Sequence, residues 1–138
     1  MINDILDILK KDSRLSLVLK PTLIDSKIYM NTGKSDTCIS YKYTPITNDG
    51  IKAQDKIEIN CISKDYSIAN KLMDIVKSLL ITIGAEKLND SILEISLNGG
   101  GYLFNEDTNQ HILKAFFIVK SRYRKEWYYG RYRKNYYR

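Results

Sequence analysis

Residues 55–84, DKIEINCISKDYSIANKLMDIVKSLLITIG, decide the fold of this chain. In the first part of the stretch, Ile57, Ile59 and Cys61 alternate with polar residues, which is the pattern of a strand with one buried face. In the second part, apolar residues recur at intervals of three and four, which predicts an amphipathic helix of about four to five turns. A strand that leads directly into such a helix indicates a domain in which helices cover one face of a sheet.

The predicted helix has recognisable start and stop signals. Ser63 or Asp65 can cap its first turn, and Gly84 ends the apolar run. Its apolar stripe is wide enough to cover a sheet, and a methionine within it indicates core packing rather than a cofactor-binding segment. The stripe consists of Ile68, Ala69, Leu72, Met73, Ile75, Val76, Leu79 and Leu80.

Strand-like segments lie on both sides of this unit. They are KIYMN (27–31), TCISYKY (37–43), SILEISLN (91–98) and HILKAFFIVK (111–120). The segments before and after the helix each form a hairpin, and the sequence predicts long loops over 44–54 and 98–110. The predicted fold class is α+β, with an antiparallel sheet of about four strands, helices packed on one face and a basic aromatic C-terminal extension.

The N-terminal part is less uniform. INDILDILKK has the spacing of a short amphipathic helix, whereas residues 12–26 are interpreted as a loop with a short extended piece that Pro21 stops. Pairing of the two central strands is expected to bring Cys38 near Cys61 on the core face. Both cysteines are interpreted as small buried hydrophobes that stay reduced.

The charge of the chain is concentrated at one end. The 138 residues carry a formal net charge of +6, and residues 121–138 hold seven of the 22 Lys and Arg, six of the 11 Tyr and the one Trp. The length predicts one domain, residues 1–121, followed by a basic, Tyr-rich arm, residues 122–138. Without the arm the domain is close to neutral, so the arm supplies the basic character.

Three interpretations of the arm remain open. It could bind nucleic acid through phosphate contacts and base stacking, dock its aromatic side chains on another protein, or form a solvated extension. The candidate contact residues are Arg122, Arg124, Lys125, Trp127, Tyr128, Tyr129, Arg131, Tyr132, Arg133, Lys134, Tyr136, Tyr137 and Arg138.

Catalytic signals are absent from the sequence. His111, the one histidine, begins a predicted strand as a polar residue at a loop edge, and the acidic residues do not recur at metal-loop spacing. NGGGY (98–102) lacks the lysine and the following helix of a phosphate loop, so it is interpreted as a flexible hairpin tip. We therefore expect no enzyme activity, cofactor or metal. No apolar run reaches the roughly 18 residues of a membrane helix, so no membrane partner is expected, and we expect the chain to be made in a cytoplasm.

The order of these elements resembles that of the tail terminator or tail completion proteins of tailed bacteriophages and prophages. The resemblance covers residues 1–120. It lies in INDILDILKKD, CISYKYTP, DKIEINCISKDYSIANKLMDIVKSLL, SILEISLN and HILKAFFIVKSRY, of which the strand-to-helix segment is the most specific.

The resemblance implies a structural virion protein that forms a hexameric ring, caps the head-proximal end of the tail tube, stops its polymerisation and joins the tail to the head or neck. It implies tail tube, sheath or neck proteins as partners, DNA passing through the ring, and assembly in the cytoplasm of a bacterial host. It also implies contacts between subunits or with the tube through Pro45, Asn48, Asp49, Gly50, Gly99, Gly100, Gly101 and Tyr102. The arm has no counterpart in the family, so the resemblance gives it no role.

Overall fold

The computed structural model describes residues 2–20, 27–31, 36–48, 52–81 and 92–122. Helices α1 (Ile2–Lys11) and α2 (Ser13–Leu19) come first, followed by strands β1 (Ile28–Met30), β2 (Cys38–Asn48) and β3 (Lys52–Ser63). Helix α3 (Tyr66–Ile81) then precedes strands β4 (Ile92–Asn105) and β5 (Gln110–Arg122). The strands form one sheet in the order β1-β2-β3-β5-β4.

The α+β class is confirmed, with one difference in the sheet. The sheet has five strands rather than about four, and β1 runs parallel to β2, whereas the other pairs are antiparallel. The backbone amide of Asn31 donates to the carbonyl of Tyr41, and that of Ile39 donates to the carbonyl of Lys27, so both ends of β1 are fixed. A strand of three residues is too short to show alternation, which is why its direction could not be predicted.

The interpretation of residues 12–26 as a loop was wrong for its first part. Residues 13–19 form α2, and the Asp12 carboxylate accepts hydrogen bonds from the backbone amides of Arg14 and Leu15 at 2.9 and 3.1 Å. Lys20 then ends the helix in the left-handed region, with φ of 51°. In this helix of two turns, only Leu15 and Leu19 are buried. Two buried positions are too few to show a helical period in the sequence. Pro21 lies outside the described residues.

Both predicted long loops were wrong, because the strands continue into them. Strand β2 runs through Pro45 to Asn48, with a register shift between Pro45 and Thr47, and β3 begins at Lys52. Proline is accepted there because β1 pairs with only the first part of β2, so Pro45 has the freedom of an edge position. The three glycines lie inside β4, and the turn of the second hairpin falls at 106–109.

The core lies between the sheet and the helices. Helix α3 packs on β3, β4 and β5, α2 packs against α3, and α1 packs against α2. Phe117 is the largest fully buried side chain, and it pairs across the ladder with the equally buried Ile57. Because directly paired residues point to the same side, these two residues mark the helix-covered face.

The expected pairing of the cysteines on that face was wrong. Cys61 is opposite Ile39 and belongs to the core cluster. Cys38 is opposite Ile62, which is the residue after Cys61 in β3. The two thiols therefore point to opposite faces of the sheet. Both are buried, and neither is in a disulfide. The same ladder places Tyr43 opposite Ile57.

Candidate functional site

A cluster of exposed apolar side chains lies at the far end of the β4–β5 hairpin, beside the start of α3. Two features of β4 bring this end of the hairpin there. A register shift between Leu97 and Gly100 adds one residue to β4, and Gly99 takes a φ of 97° that suits glycine. At Gly100, an added Cβ would lie 2.5 Å from the backbone oxygen of Lys114, so the two strands approach each other closely.

Four rings cluster at this end of the hairpin, and we call them the aromatic shelf: Tyr66, Tyr102, Phe104 and His111. The Tyr66 ring meets those of Tyr102 and His111 edge-on, with centroids 5.6 and 5.7 Å apart. His111 stacks on Tyr102 at 5.9 Å and lies 4.9 Å from Phe104. The Tyr102 hydroxyl is 2.5 Å from Nδ1 of His111, which fixes both rings. The shelf is therefore an ordered surface built from three elements.

The shelf is open to solvent. Tyr66 is 47% exposed, Tyr102 is 52% exposed and Phe104 is 39% exposed. Aromatic side chains that are rigid, clustered and half exposed are typical of the centre of a protein–protein interface, because they bury much area at little cost in conformational entropy. The arrangement can therefore bind another macromolecule.

Carboxylates surround the shelf, and we call them the acidic rim: Asp36, Asp65, Glu106 and Asp107. They lie on the segments that enter β2, leave β3 and join β4 to β5, and all are exposed. The Ser67 hydroxyl and backbone amide donate to Asp65 at 2.8 and 2.9 Å, and these hydrogen bonds lower the pKa of that carboxyl. Lys64 lies beside the rim, with its ammonium 3.7 Å from the Asp36 carboxylate.

The face of the sheet opposite the helices is rich in lysine, with Ile112, Phe116 and Ile118 between the lysines. Lys42, Lys56, Lys114 and Lys120 line this lysine face, and Glu58 lies between Lys42 and Lys114, at 3.9 and 4.0 Å. The Lys56 ammonium sits 4.4 Å over the Phe116 ring.

Asn60 is buried at the centre of the lysine face. Its amide nitrogen donates to Ser40 and Glu58 at 3.2 and 3.0 Å. Its buried carbonyl oxygen has no hydrogen-bond partner among the described residues. A buried acceptor without a partner is costly, so this position favours a donor from outside the described part of the chain.

A second polar contact lies near the end of the sheet where β2 ends and β3 begins. Asp55 is buried between β2 and β5, and burial raises the pKa of its carboxyl. Tyr43 hydrogen-bonds to Asp55, and burial together with this carboxylate raises the pKa of the tyrosine to about 12. The pair is a polar contact between β2 and β3 at the edge of the core.

The structure places the sequence-predicted contact residues at separate locations. Pro45 and Asn48 lie in the last part of β2, at the end of the sheet where Arg122 ends β5. Gly99, Gly100 and Gly101 lie in the middle of β4, and Tyr102 alone belongs to the shelf. Asp49, Gly50 and the arm residues after Arg122 lie outside the described residues. The role of these residues as contacts between subunits or with the tube stays a prediction.

Sequence reasoning missed three shelf residues and the lysine face. Phe104 and His111 are direct partners in the β4–β5 ladder, but this pairing depends on the extra residue in β4. Tyr66 precedes the apolar stripe of α3 and had no visible partner in the sequence. The lysines of β2, β3 and β5 alternate with core residues, which was the one signal available for a shared polar face.

Within the described ranges, no group of three or more His, Cys, Asp or Glu could hold a metal ion. None of the helices in the same ranges combines the length and apolar character needed to cross a membrane.

The fold as a whole is similar to that of a chain in a solved structure, the virion of a native gene transfer agent particle. The similarity has a TM-score of 0.63 at 13% sequence identity, and it covers 86% of this chain and 91% of the other. The two chains therefore share an architecture over almost their whole length. No protein-family model and no curated protein matches the sequence.

Proposed function

We propose that the chain is a non-enzymatic structural protein of a tailed virion. The observation that carries this proposal is the shared fold with a virion chain, which extends over 86% of this chain and 91% of the other. A match of that extent concerns the entire domain rather than one motif.

Within the virion, the proposed role is that of a tail terminator. Copies of the chain form a hexameric ring that caps the head-proximal end of the tail tube, stops its growth and joins it to the head or neck. The support is the sequence resemblance together with the interaction surfaces of the fold. Strand β4 is an edge strand of 14 residues, and such an edge is commonly covered by a neighbour. The aromatic shelf offers a second surface that association would bury.

The test is assembly of the full-length chain. Light scattering coupled to gel filtration and negative-stain electron microscopy should show a closed ring of subunits. Added to polymerising tail tube protein from the same virus, the ring should bind one end of the tube and shorten the tubes. A strict monomer that neither forms rings nor binds tube ends would overturn the proposal.

The lysine face favours a second candidate, a small nucleic-acid-binding module. Four lysines on one face outnumber Glu58 and Glu94, and Phe116 offers a ring for base stacking beside Lys56. The basic aromatic arm would add phosphate contacts. Fluorescence anisotropy with a single-stranded oligonucleotide should then show binding that weakens steeply with salt and is lost on deletion of residues 122–138. Absence of binding at low salt would exclude this candidate.

A further inference from the structure

The two ends of the domain differ in charge. At the end where β5 stops and the arm begins, Lys52 is opposite Arg122, and Lys120 lies 3.5 Å from Glu94. At the other end lie the four carboxylates of the acidic rim, with Lys64 beside Asp36 and Lys27 at the start of β1. Among the described residues, the first pole therefore has Lys52, Lys120 and Arg122 against Glu94 and the buried Asp55, whereas the opposite pole is acidic and aromatic.

Residues 123–138, YRKEWYYGRYRKNYYR, match the acidic and aromatic pole in chemistry. They contain six Lys or Arg and one Glu, together with six Tyr and one Trp. Guanidinium groups pair with carboxylates through two hydrogen bonds and also stack on aromatic faces, while tyrosines pack edge-on against other rings. The basic pole from which this segment leaves would repel it.

The segment cannot reach the acidic pole of its own chain with its aromatic centre. From Arg122 back to His111 there are 11 steps along β5, which span about 37 Å. Trp127, Tyr128 and Tyr129 follow Arg122 by five to seven residues, so their backbone lies at most about 25 Å from it even when fully extended. Only a second copy can bring an aromatic shelf within reach of these residues.

We infer that the aromatic centre of this segment, Trp127, Tyr128 and Tyr129, docks in one copy on the aromatic shelf and acidic rim of a second copy. The contact is head-to-tail, because the basic pole of one copy meets the acidic pole of the next, and a repeated contact of this kind closes into a ring or continues as an open chain. This inference rests on the proposed assembly of copies and identifies the segment that links them. It assigns the arm to a protein partner.

Photo-crosslinking in the full-length chain tests the inference. Benzoylphenylalanine in place of Tyr129 keeps an aromatic ring, and a mixture of isotopically light and heavy copies distinguishes crosslinks between copies from those within one. The expected products are mixed-isotope dimers in which position 129 is joined to residues 64–66 or 102–111. Crosslinks confined to a single copy, or to other surfaces of the second copy, would overturn the inference.

A matched pair of variants tests the role of the shelf itself. Tyr102 and Leu103 are both 52% exposed and adjacent in β4, but their side chains point to opposite faces. Y102A should reduce the crosslink yield about tenfold or more, as expected when a central aromatic contact is lost, whereas L103A should leave it within about twofold. Equal losses in the two variants would contradict docking on the shelf.

A second pair tests the charge of the rim. D107K should lower the yield about threefold to fivefold at low salt, and the difference should shrink as salt is added. D74K makes the same charge change on the exposed side of α3, away from the shelf, and should have little effect. Loss of the crosslink on addition of a single-stranded oligonucleotide, with transfer of the label to it, would assign the arm to phosphates instead.

Electron microscopy of the same samples separates the inference from the proposed function. Closed rings without crosslinks at the shelf would overturn the docking inference and leave the ring intact. Crosslinks at the shelf in open chains would support docking and overturn the ring.

Discussion

The glycine run in β4 offers a sharp test of the fold, because two neighbouring glycines have opposite surroundings. A Cβ at Gly100 would lie 2.5 Å from the backbone oxygen of Lys114, and side-chain movement cannot relieve this contact. A Cβ at Gly101 would have nothing within 4 Å. The perturbation is therefore G100A, with G101A as its control.

The expected magnitude follows from these distances. To restore the 3.0 Å that real Cβ atoms keep, β4 and β5 must separate by at least 0.5 Å at G100A. Forcing extra volume into a packed site costs about 1–3 kcal/mol of unfolding free energy. Both variants lose similar chain entropy in the unfolded state, which is worth about 0.4–1 kcal/mol, so that contribution cancels in the comparison. G100A should be about 1–3 kcal/mol less stable than G101A, which corresponds to a Tm lower by about 3–10 °C.

Urea denaturation followed by circular dichroism measures this difference, with both variants at one protein concentration because association shifts apparent stability. The slopes of the two transitions should agree, which would show that the folded surface is unchanged. Two unfolding free energies within about 0.5 kcal/mol of each other would refute the close approach of β4 and β5 at Gly100.

Three other perturbations follow from the structure. Because Tyr43 is stabilised in its neutral form, with a pKa of about 12 against 10.0 ordinarily, its contribution to stability is complete below pH 10 and is lost as the pH rises towards 12. The unfolding free energy should therefore fall more steeply over that window in the natural chain than in Y43F, as pH-dependent urea titrations would show; identical slopes would contradict the raised pKa. D12A removes the cap of α2 and should lower stability by about 1 kcal/mol, measured by thermal denaturation, with the exposed D7A as a control that changes little. Burial also raises the pKa of the Cys61 thiol, so Cys61 should resist alkylation under native conditions and react in denaturant, as peptide mass spectrometry would detect; rapid labelling of the native protein would contradict its burial.

The central part of the fold could be predicted because its signals are local and long. The alternation through Ile57, Ile59 and Cys61 and the stripe of α3 extend over several periods, so the secondary structure was confirmed there. The same was true of α1 and of the strands that became β4 and β5. These elements carry their burial pattern within their own residues.

The rest depended on contacts between distant residues. Glycine and proline usually indicate loops, but a bulge accommodates Gly99 inside β4, and the short β1 leaves Pro45 at a free edge. The shelf arises only after Phe104 and His111 are paired, and that pairing depends on a register shift elsewhere in the strand. Neither the register shift nor the pairing of Phe104 with His111 leaves a pattern in the local sequence. The candidate site could therefore be found only from the three-dimensional structure.

The extra residue between Leu97 and Gly100 has an evolutionary consequence. A bulge absorbs it, so that Tyr102 and Phe104 stay on the helix side, opposite Leu113 and His111. Deletion of a single glycine would remove the bulge, and regular pairing from Leu97 onward would still place Tyr102 opposite Leu113 and Phe104 opposite His111. Insertion of one residue would instead need a further bulge to keep both aromatic residues on that side. Selection in descendants of this chain should therefore tolerate a shorter run better than a longer one.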